Sequence, residues 1–546
     1  MNVKPLTAQF AASEQLSIAE VGSVKALGYT TLINNRPDGE AAGQPTSAGI
    51  AAAAAQAGLT YHHLPVKSGA VDEASVRQFA QVLASAPGPV LAFCRSGMRS
   101  ATLWSLAAPV GERESRVQAA RAVGYQLPLS PAPPPSGARH ADILIIGGGA
   151  AGLAVAASLR QRDSSRSIFL IEPREVHYYQ PGWTMVGGGI FDQQSTCRDV
   201  AGLMPSGVTW IKSAAQRIEP EHDRVVLADG SVVSYRFLIT APGIELDWNA
   251  VTGLKETLGS NGVTSNYSFE HAPYTWALTQ QLREGEALFT QPPMPIKCAG
   301  APQKAMYLAC DYWRQTNVLK DIKVSFHNAG PVLFGVKEFV PALMEYVERY
   351  HIDLAFGSRL VAVDGPAHQA IFKTSSGEQA RHFDMLHVCP PQRSPRLIAE
   401  SSLADAAGYA EVDPATMRHT RFANVFALGD AGSTPNAKTA AAARKQAPVV
   451  AENVLSALKG EELKALYDGY GSCPLTVERG KIILAEFGYG GKLLPSFPNW
   501  VIDGQKAQRL PWLLKSEALP WIYWNGMLKG HEWMAHPQHR TASAVA

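Results

Sequence analysis

Cysteine is scarce in this chain. Six in 546 residues (Cys94, Cys197, Cys298, Cys310, Cys389, Cys473) are too few for a secreted disulfide scaffold. None stands at C-x-x-C, zinc-ligand or haem-attachment spacing, so no metal is expected. Excess charge of one sign is also lacking: 49 Lys plus Arg face 47 Asp plus Glu, a formal net charge of +2. That balance leaves no broad footprint for nucleic acid, and no such partner is expected. The opening MNVKPLTAQFAASEQ has neither an apolar h-region nor an Arg-rich presequence, so neither secretion nor import is expected. The longest apolar stretch, Ile143 to Leu159, carries four glycines, three at nucleotide-binding spacing, and does not read as a membrane span. No internal repeat is visible, which argues against solenoids and propellers. What the chain does have is bulk. At 46% hydrophobic residues it can bury a sizeable core, and its length suggests about three domains.

The clearest boundary is LPLSPAPPPSGARH, residues 127–140, a stiff proline-rich spacer that cannot join a neighbouring core. Before it, in residues 1–126, short strands (Thr31–Asn34, Thr60–Leu64, Val90–Phe93) alternate with helical stretches (Thr46–Ala57, Asp72–Ala84, Ser100–Ala108). The alternation predicts a small α/β domain with a parallel sheet. After the spacer an α/β pattern runs over 141–470. The final region, 471–546, holds Trp500, Trp512, Trp521, Trp524 and Trp533 of the protein's 11 tryptophans.

Ala141 to Ile146 reads as a buried strand, followed at once by Gly147-Gly-Gly149-Ala-Ala-Gly152 and a helical run to Arg160. The first glycine permits a tight turn, the second lets backbone approach a pyrophosphate, and the third lets helix pack on strand. Glu172 ends the next strand, Ile168–Ile171, about 20 residues on, where an acid can bond an adenosine ribose. Two later segments extend the pattern. Tyr235–Ile239 is a strand ending in Thr240-Ala-Pro-Gly243, and NVFALGDAG (424–432) ends in Gly429-Asp430 before an Ala-rich helix. This ordered set resembles the flavoproteins with two dinucleotide-binding domains, and the resemblance implies FAD, with Asp430 at its ribityl and phosphate region. The helix after Asp430 would aim its positive end at the flavin. The strand Ile322–His327 leads into NAGPVLFG, which lacks a second G-x-G-x-x-G, so NAD(P)H is not the expected partner.

Further motifs narrow the resemblance. HYYQPGWTMVGGG (177–189, with Gln180), KCAGAPQK (297–304), LHVCPPQ (386–392), ALGDAGSTPNAKTAAAA (427–443) and SCPL (472–475) resemble sulfide:quinone oxidoreductases of the mitochondrial-like type. The fold class is then α/β: two Rossmann-like domains of an FAD flavoprotein preceded by a small phosphatase-like α/β domain. The resemblance implies that Cys298 and Cys473 form a redox-active bridge. Hydrosulfide would attack at Cys473, leaving a persulfide there and a thiolate at Cys298 that passes electrons to the flavin. A second nucleophile such as glutathione or sulfite would remove the outer sulfur, and a ubiquinone-type quinone would take the electrons. Lys438 is read either as a support for flavin or quinone, or as a solvated lysine. Cys310 reads as core, Cys197 has no motif around it, and Cys389 carries no catalytic role. A quinone implies a membrane, and LPWLLKSEALPWIYWNGMLKG (510–530) suits the interface of one leaflet. Its competing reading is a segment packed on the body or a dimer contact. The expected location is cytoplasmic, peripheral on the inner face of the membrane.

In the first domain VLAFCRSGMR (90–99) is a strand, a Cys-centred loop and a helix start. Cys94 and Arg99 stand at Cys-x4-Arg, similar to rhodaneses, whereas tyrosine phosphatases have Cys-x5-Arg. With INNRPDGE (33–40) the domain resembles phosphatase-like sulfurtransferases, which implies a persulfide on Cys94 countered by Arg99. Asp72, the one acid in 65–72, reads as a helix start with Glu73. Rival readings are a type II NADH:quinone oxidoreductase and a redox-sensing flavoprotein with a phosphatase-like domain.

Overall fold

The computed structural model describes residues 1–67, 71, 73–108, 110–125, 127 and 139–540. Asp72 and most of the proline-rich spacer, 128–138, lie outside the described residues. The chain divides into two compact units. One is Met1–His140 with the short pieces Glu221–Arg224 and Val232–Arg236; the other is Ala141–Pro220, Val225–Ser231 and Phe237–Ala546.

The first unit is a five-stranded sheet, β1 (Val3–Thr7), β2 (Phe10–Ser13), β3 (Thr31–Asn34), β4 (Thr60–His63) and β5 (Val90–Phe93), in the order β1-β2-β5-β3-β4. β2, β5, β3 and β4 run parallel and β1 is antiparallel on β2. Among the described residues five helices accompany it: α1 (Ile18–Ala26), α2 (Ser47–Gln56), α3 (Glu73–Ser85), α4 (Met98–Leu106) and α5 (Val110–Ala122). β5 is central and wholly buried, so the chain leaving it emerges at the carboxyl edge of the parallel strands, where α/β proteins build sites. The sequence reading missed β1, β2, α1 and α5. β2 is FAAS, short and built mostly of small residues; its strand state comes from pairing with β5, not from propensity.

In the second unit β6 (Arg139–Ile146) is an apolar, two-face-buried strand, followed by α6 (Ala150–Arg162) and β7 (Ile168–Ile171). These belong to a sheet ordered Val208–Ile211, β7, β6, Val232–Thr240, Arg224–Leu227, Ala215–Glu219, with Val425–Ala427 added in parallel on Val232–Thr240. A second sheet, wholly parallel, runs Val263–Thr264, Met385–His387, Gly285–Gln291, Ile322–Asn328, Asp353–Phe356. These are the two Rossmann-like sheets expected. A hairpin, Gly471–Glu478 with Lys481–Phe487, packs into the core of helix Ala301–Gln315 through Cys473, Leu475, Val477, Ala305 and Met306. Pro302 opens that helix at a position needing no amide partner.

The tail splits between its two readings. Tyr523, Trp524, Met527 and Leu528 are buried in the main core with α6 residues. On the other face Leu510, Leu513 and Trp521 are exposed, at 47, 56 and 57%. Among the described residues no helix is long and apolar enough to cross a membrane.

Candidate active site

The glycine turn is built as a cradle. Gly147 has φ +99°, and a Cβ there would lie 2.4 Å from the Ala241 carbonyl oxygen. One on Gly152 would collide with the Gly147 carbonyl, so α6 packs directly on β6, while one on Gly149, the helix N-cap, would meet nothing within 4 Å. Glu172 reaches back to the turn, its carboxylate accepting from Gly148 N at 2.7 Å and from Arg174 N at 2.9 Å. Thr240 is fully buried at the end of its strand, and Gly243 beyond it has φ +82° with open space around its Cα. Gly429, φ +71°, opens a short 3-10 turn, Gly429–Ala431, right after Val425–Ala427. Gly147, Gly149, Gly152, Glu172, Thr240, Gly243, Gly429 and Asp430 therefore all stand at or just beyond strand ends of one sheet. A cradle that only glycine permits, an open helix N-terminus and an acid after β7 fit a dinucleotide such as FAD.

Two expectations change here. The Ala-rich helix begins at Ala440, with the Thr439 hydroxyl accepting from Ala442 N at 3.2 Å, so a loop separates it from Asp430. Lys438 is no solvated lysine: it is 8% exposed, and its ammonium donates to the carbonyls of Asp430 at 2.8 Å and Gly432 at 3.0 Å. It fastens the Asp430 loop. Burial raises the Asp430 carboxyl and lowers the Lys438 ammonium from their ordinary values. Gln180, exposed, accepts from the Lys297 ammonium at 2.7 Å, next to Cys298. His177, in the same motif, joins the Gly148 carbonyl at 3.1 Å to the Tyr523 hydroxyl at 2.6 Å, so the buried half of the tail braces the glycine turn.

Cys298 and Cys473 meet, their sulfurs 3.7 Å apart. Cys298 precedes helix Ala301–Gln315, and Cys473 lies on the hairpin against it. Cys298 N donates to the Lys438 carbonyl at 2.8 Å, joining the cysteine loop to the Asp430 loop. Two lysines missed in the sequence attend the pair. Lys304, 2% exposed, places its ammonium 3.2 Å from the Cys298 sulfur. It sits in the first turn of a helix whose start at Ala301 was the signal available, through Pro302 and KCAGAPQK. Lys515 is 4% exposed in a π-helical stretch, Leu514–Ala518, of the tail. Its ammonium donates to the Pro181 carbonyl at 3.5 Å, while burial first and Lys304 second push it down to about 7, against the pull of Cys298 and Cys473.

The two thiols are unequal. The bond from Cys473, with Lys304 beside it, holds Cys298 well below the usual thiol range, while Cys473, donating to that sulfur and buried, is pushed well up. Of the remaining cysteines, Cys310 is core, as expected, Cys197 is half-buried, and Cys389 is buried, its thiol pushed up to about 12 by burial.

A family model for pyridine nucleotide-disulphide oxidoreductase matches residues 141–447, over half the chain. The mitochondrial sulfide:quinone oxidoreductase of Dictyostelium discoideum is 41% identical over 391 residues, 71% of this chain and 86% of that one. The chain belongs to the sulfide:quinone oxidoreductase family. The solved sulfide:quinone oxidoreductase of Aquifex aeolicus shares the fold, with TM-score 0.59 and 18% identity over 71% of this chain and 92% of that one. Ahead of its sulfide:quinone oxidoreductase part, the chain matches the model for beta-lactamase hydrolase-like protein, phosphatase-like domain, at residues 2–110. The beta-lactamase hydrolase-like protein of Agrobacterium fabrum is 41% identical over 102 residues, 19% of this chain and 24% of that one.

In that first unit Cys94 is 1% exposed at the end of β5, and α4 follows from Gly97, φ +83°. Arg99 is in the first turn of α4, but its guanidinium is engaged: it donates to the Val66 carbonyl and to Glu40, each at 2.7 Å. Arg36 shares Glu40 at 2.8 Å. Glu40 and Arg36 come from INNRPDGE, whose role the sequence left unstated. Tyr125 lies against the loop, since a Cβ on Gly97 would meet its hydroxyl.

Proposed function

We propose that this chain oxidises sulfide through a Cys298–Cys473 redox pair and FAD, sending two electrons to a quinone and the sulfur to a small acceptor. What carries the reading is the 3.7 Å pair of unequal thiols with Lys304 on one of them. In the bridged state hydrosulfide forms an S–S bond to the Cys473 sulfur as the Cys473–Cys298 bond breaks. The better-stabilised thiolate leaves faster, and that is Cys298, so attack falls on Cys473. Lys304 and Lys515 offset the negative charge of the incoming hydrosulfide and departing thiolate. Glutathione, sulfite or a second hydrosulfide then takes the outer sulfur, and the two thiols return to the disulfide, releasing two electrons and their protons. Bound at the glycine cradle, FAD supplies the two-electron acceptor and a ubiquinone-type quinone reoxidises it. Gly147, Gly149, Gly152 and Glu172 would hold its adenylate end, and Thr240, Gly243, Asp430 and the Lys438-fastened loop the rest, with Gln180 and Lys297 beside the cysteines.

The exposed Leu510, Leu513 and Trp521 beside the buried half of the tail support a membrane-surface contact on a quinone-bearing face. Residues 1–126 act as a sulfur handler, with 127–140 as tether, 141–470 as the flavoprotein and 471–546 as its redox and membrane end. Cys94 takes the outer sulfur of glutathione persulfide or thiosulfate as a persulfide, glutathione or sulfite leaving, with Arg99 oriented by Glu40. Cys94→Ser in the full chain should leave flavin reduction by sulfide unchanged and alter the sulfur product or its dependence on acceptor. Aryl phosphate hydrolysis lost with Cys94 would instead favour the phosphatase reading. The main reading is tested by anaerobic sulfide titration of wild type and of Cys298→Ser and Cys473→Ser; reduction surviving in either variant would reject the pair.

A further inference from the structure

Cys298 holds an uncommon backbone for a residue with a side chain: φ is +49°. In that left-handed region a Cβ crowds the following carbonyl, so the neighbours must fix it. Three contacts do. Cys298 N donates to the Lys438 carbonyl at 2.8 Å, and its own carbonyl accepts from Ala301 N at 2.7 Å. The third is the Tyr267 hydroxyl, 3.2 Å from the carbonyl oxygens of both Lys297 and Cys298. Tyr267 is 3% exposed in a small cluster with Ile296, Ala301 and Cys389, on the chain just after the second sheet's edge strand Val263–Thr264. Burial, with three cysteines nearby, raises its phenol well above the ordinary value, so it remains a donor at every working pH.

We propose that Tyr267 is a positioning residue for sulfide oxidation: its hydroxyl clamps the peptide carbonyls on both sides of the Cys298 nitrogen and α-carbon, fixing the left-handed turn that presents the Cys298 sulfur to Cys473. The proposal rests on the cysteine pair of the proposed function. A phenylalanine would fill the same volume and keep the ring contacts, yet release both carbonyls from the clamp. The loop would then sample the commoner right-handed backbone, and the two sulfurs would spend less time within bonding reach.

The test uses the full-length, FAD-loaded protein equilibrated anaerobically with glutathione buffers. Acid quench, alkylation and mass spectrometry of the Cys298 and Cys473 peptides give the bridged fraction. Tyr267→Phe should lower the equilibrium constant for bridge closure about tenfold, equivalent to about 30 mV, with flavin content unchanged. Turnover should fall similarly while the KM for quinone holds. Ile296→Val, which loosens the same cluster without altering a partner of the hydroxyl, should leave the constant within about twofold. Tyr267→Phe equal to wild type within twofold overturns the clamp, and so does an equal shift from Ile296→Val, which would mean packing alone. Loss of bound flavin in Tyr267→Phe would also overturn it, since the proposed role is confined to the hydroxyl. A wild-type protein that never bridges Cys298 to Cys473 would sink the reading of the pair itself, a result distinguishable from all of these.

Discussion

Replacing Lys304 with methionine removes one charge from the cysteine pair at nearly constant volume. The ammonium stands 3.2 Å from the Cys298 sulfur. At an effective dielectric of about 20, two unit charges at that distance attract by about 5 kcal/mol, or nearly four pKa units. The bond from Cys473 and the field of Lys515 stay in place, so about half of that attraction is the net loss, and the Cys298 thiol becomes less acidic. If the leaving-group sensitivity is similar to that of the attacking thiol, about 0.5, sulfide attack slows about tenfold. Stopped-flow reduction of the flavin by sulfide between pH 6 and 9, without oxygen, reads this directly. The variant's profile should shift to higher pH and its plateau should fall, while FAD content and reduction by dithionite remain normal. A profile superimposable on wild type would refute the assignment of Lys304 as the thiolate's counter-charge.

Cys298→Ser and Cys473→Ser should each abolish sulfide-driven quinone reduction and keep FAD bound, checked by flavin absorbance and steady-state assay. Lys515 should cost the fold stability while charged. Its value of about 7, set first by burial and then by Lys304, lies below that of a free lysine, so the unfolded chain holds the extra proton from about pH 7 to 10. Stability therefore rises with pH across that window, and Lys515→Met should raise Tm at pH 6 more than at pH 9. Equal gains at both pH values would contradict it. The double change Leu513→Glu/Trp521→Glu should release the protein from vesicles and raise the KM for a long-chain quinone while sparing a water-soluble one. Unchanged vesicle co-sedimentation would remove the surface from the account. Truncation before Leu510 is a poorer probe, because it takes away Tyr523 and Trp524, which pack in the core.

Much of the fold was legible wherever the signal was local. The glycine turn, β7 and its Glu172, and the Gly429-Asp430 end each depend on a few neighbouring residues with fixed backbone demands. Strand Thr31–Asn34 and strand Val90–Phe93 fell where apolar runs met turn residues. What escaped depended on partners distant in sequence. β2 is a strand only because β5 lies beside it. The tail reads as an interface segment because tryptophan and lysine carry that pattern, yet half of it fills the core and its Lys515 turns inward to a cysteine pair formed from residues 175 apart. Lys438 stayed open between a cofactor support and a solvated lysine because nothing in its neighbours announces the carbonyls of Asp430 and Gly432 that hold it. Arg99 stands in the first turn of the helix after the Cys94 loop, and its bond to Glu40 spans 59 residues. Propensity and motif spacing carry no information about such pairings.

The central claim is that electrons enter by way of the Cys298–Cys473 pair. The most direct measurement is an anaerobic titration of the purified full-length protein with sulfide, followed by a ubiquinone analogue, while recording the flavin spectrum and trapping thiols at each point. One equivalent of sulfide should load Cys473 with an extra sulfur by mass, further sulfide should remove that sulfur and bleach the flavin, and quinone should restore the oxidised spectrum. Bleaching by sulfide with neither cysteine modified, or bleaching by NADH in place of sulfide, would contradict it.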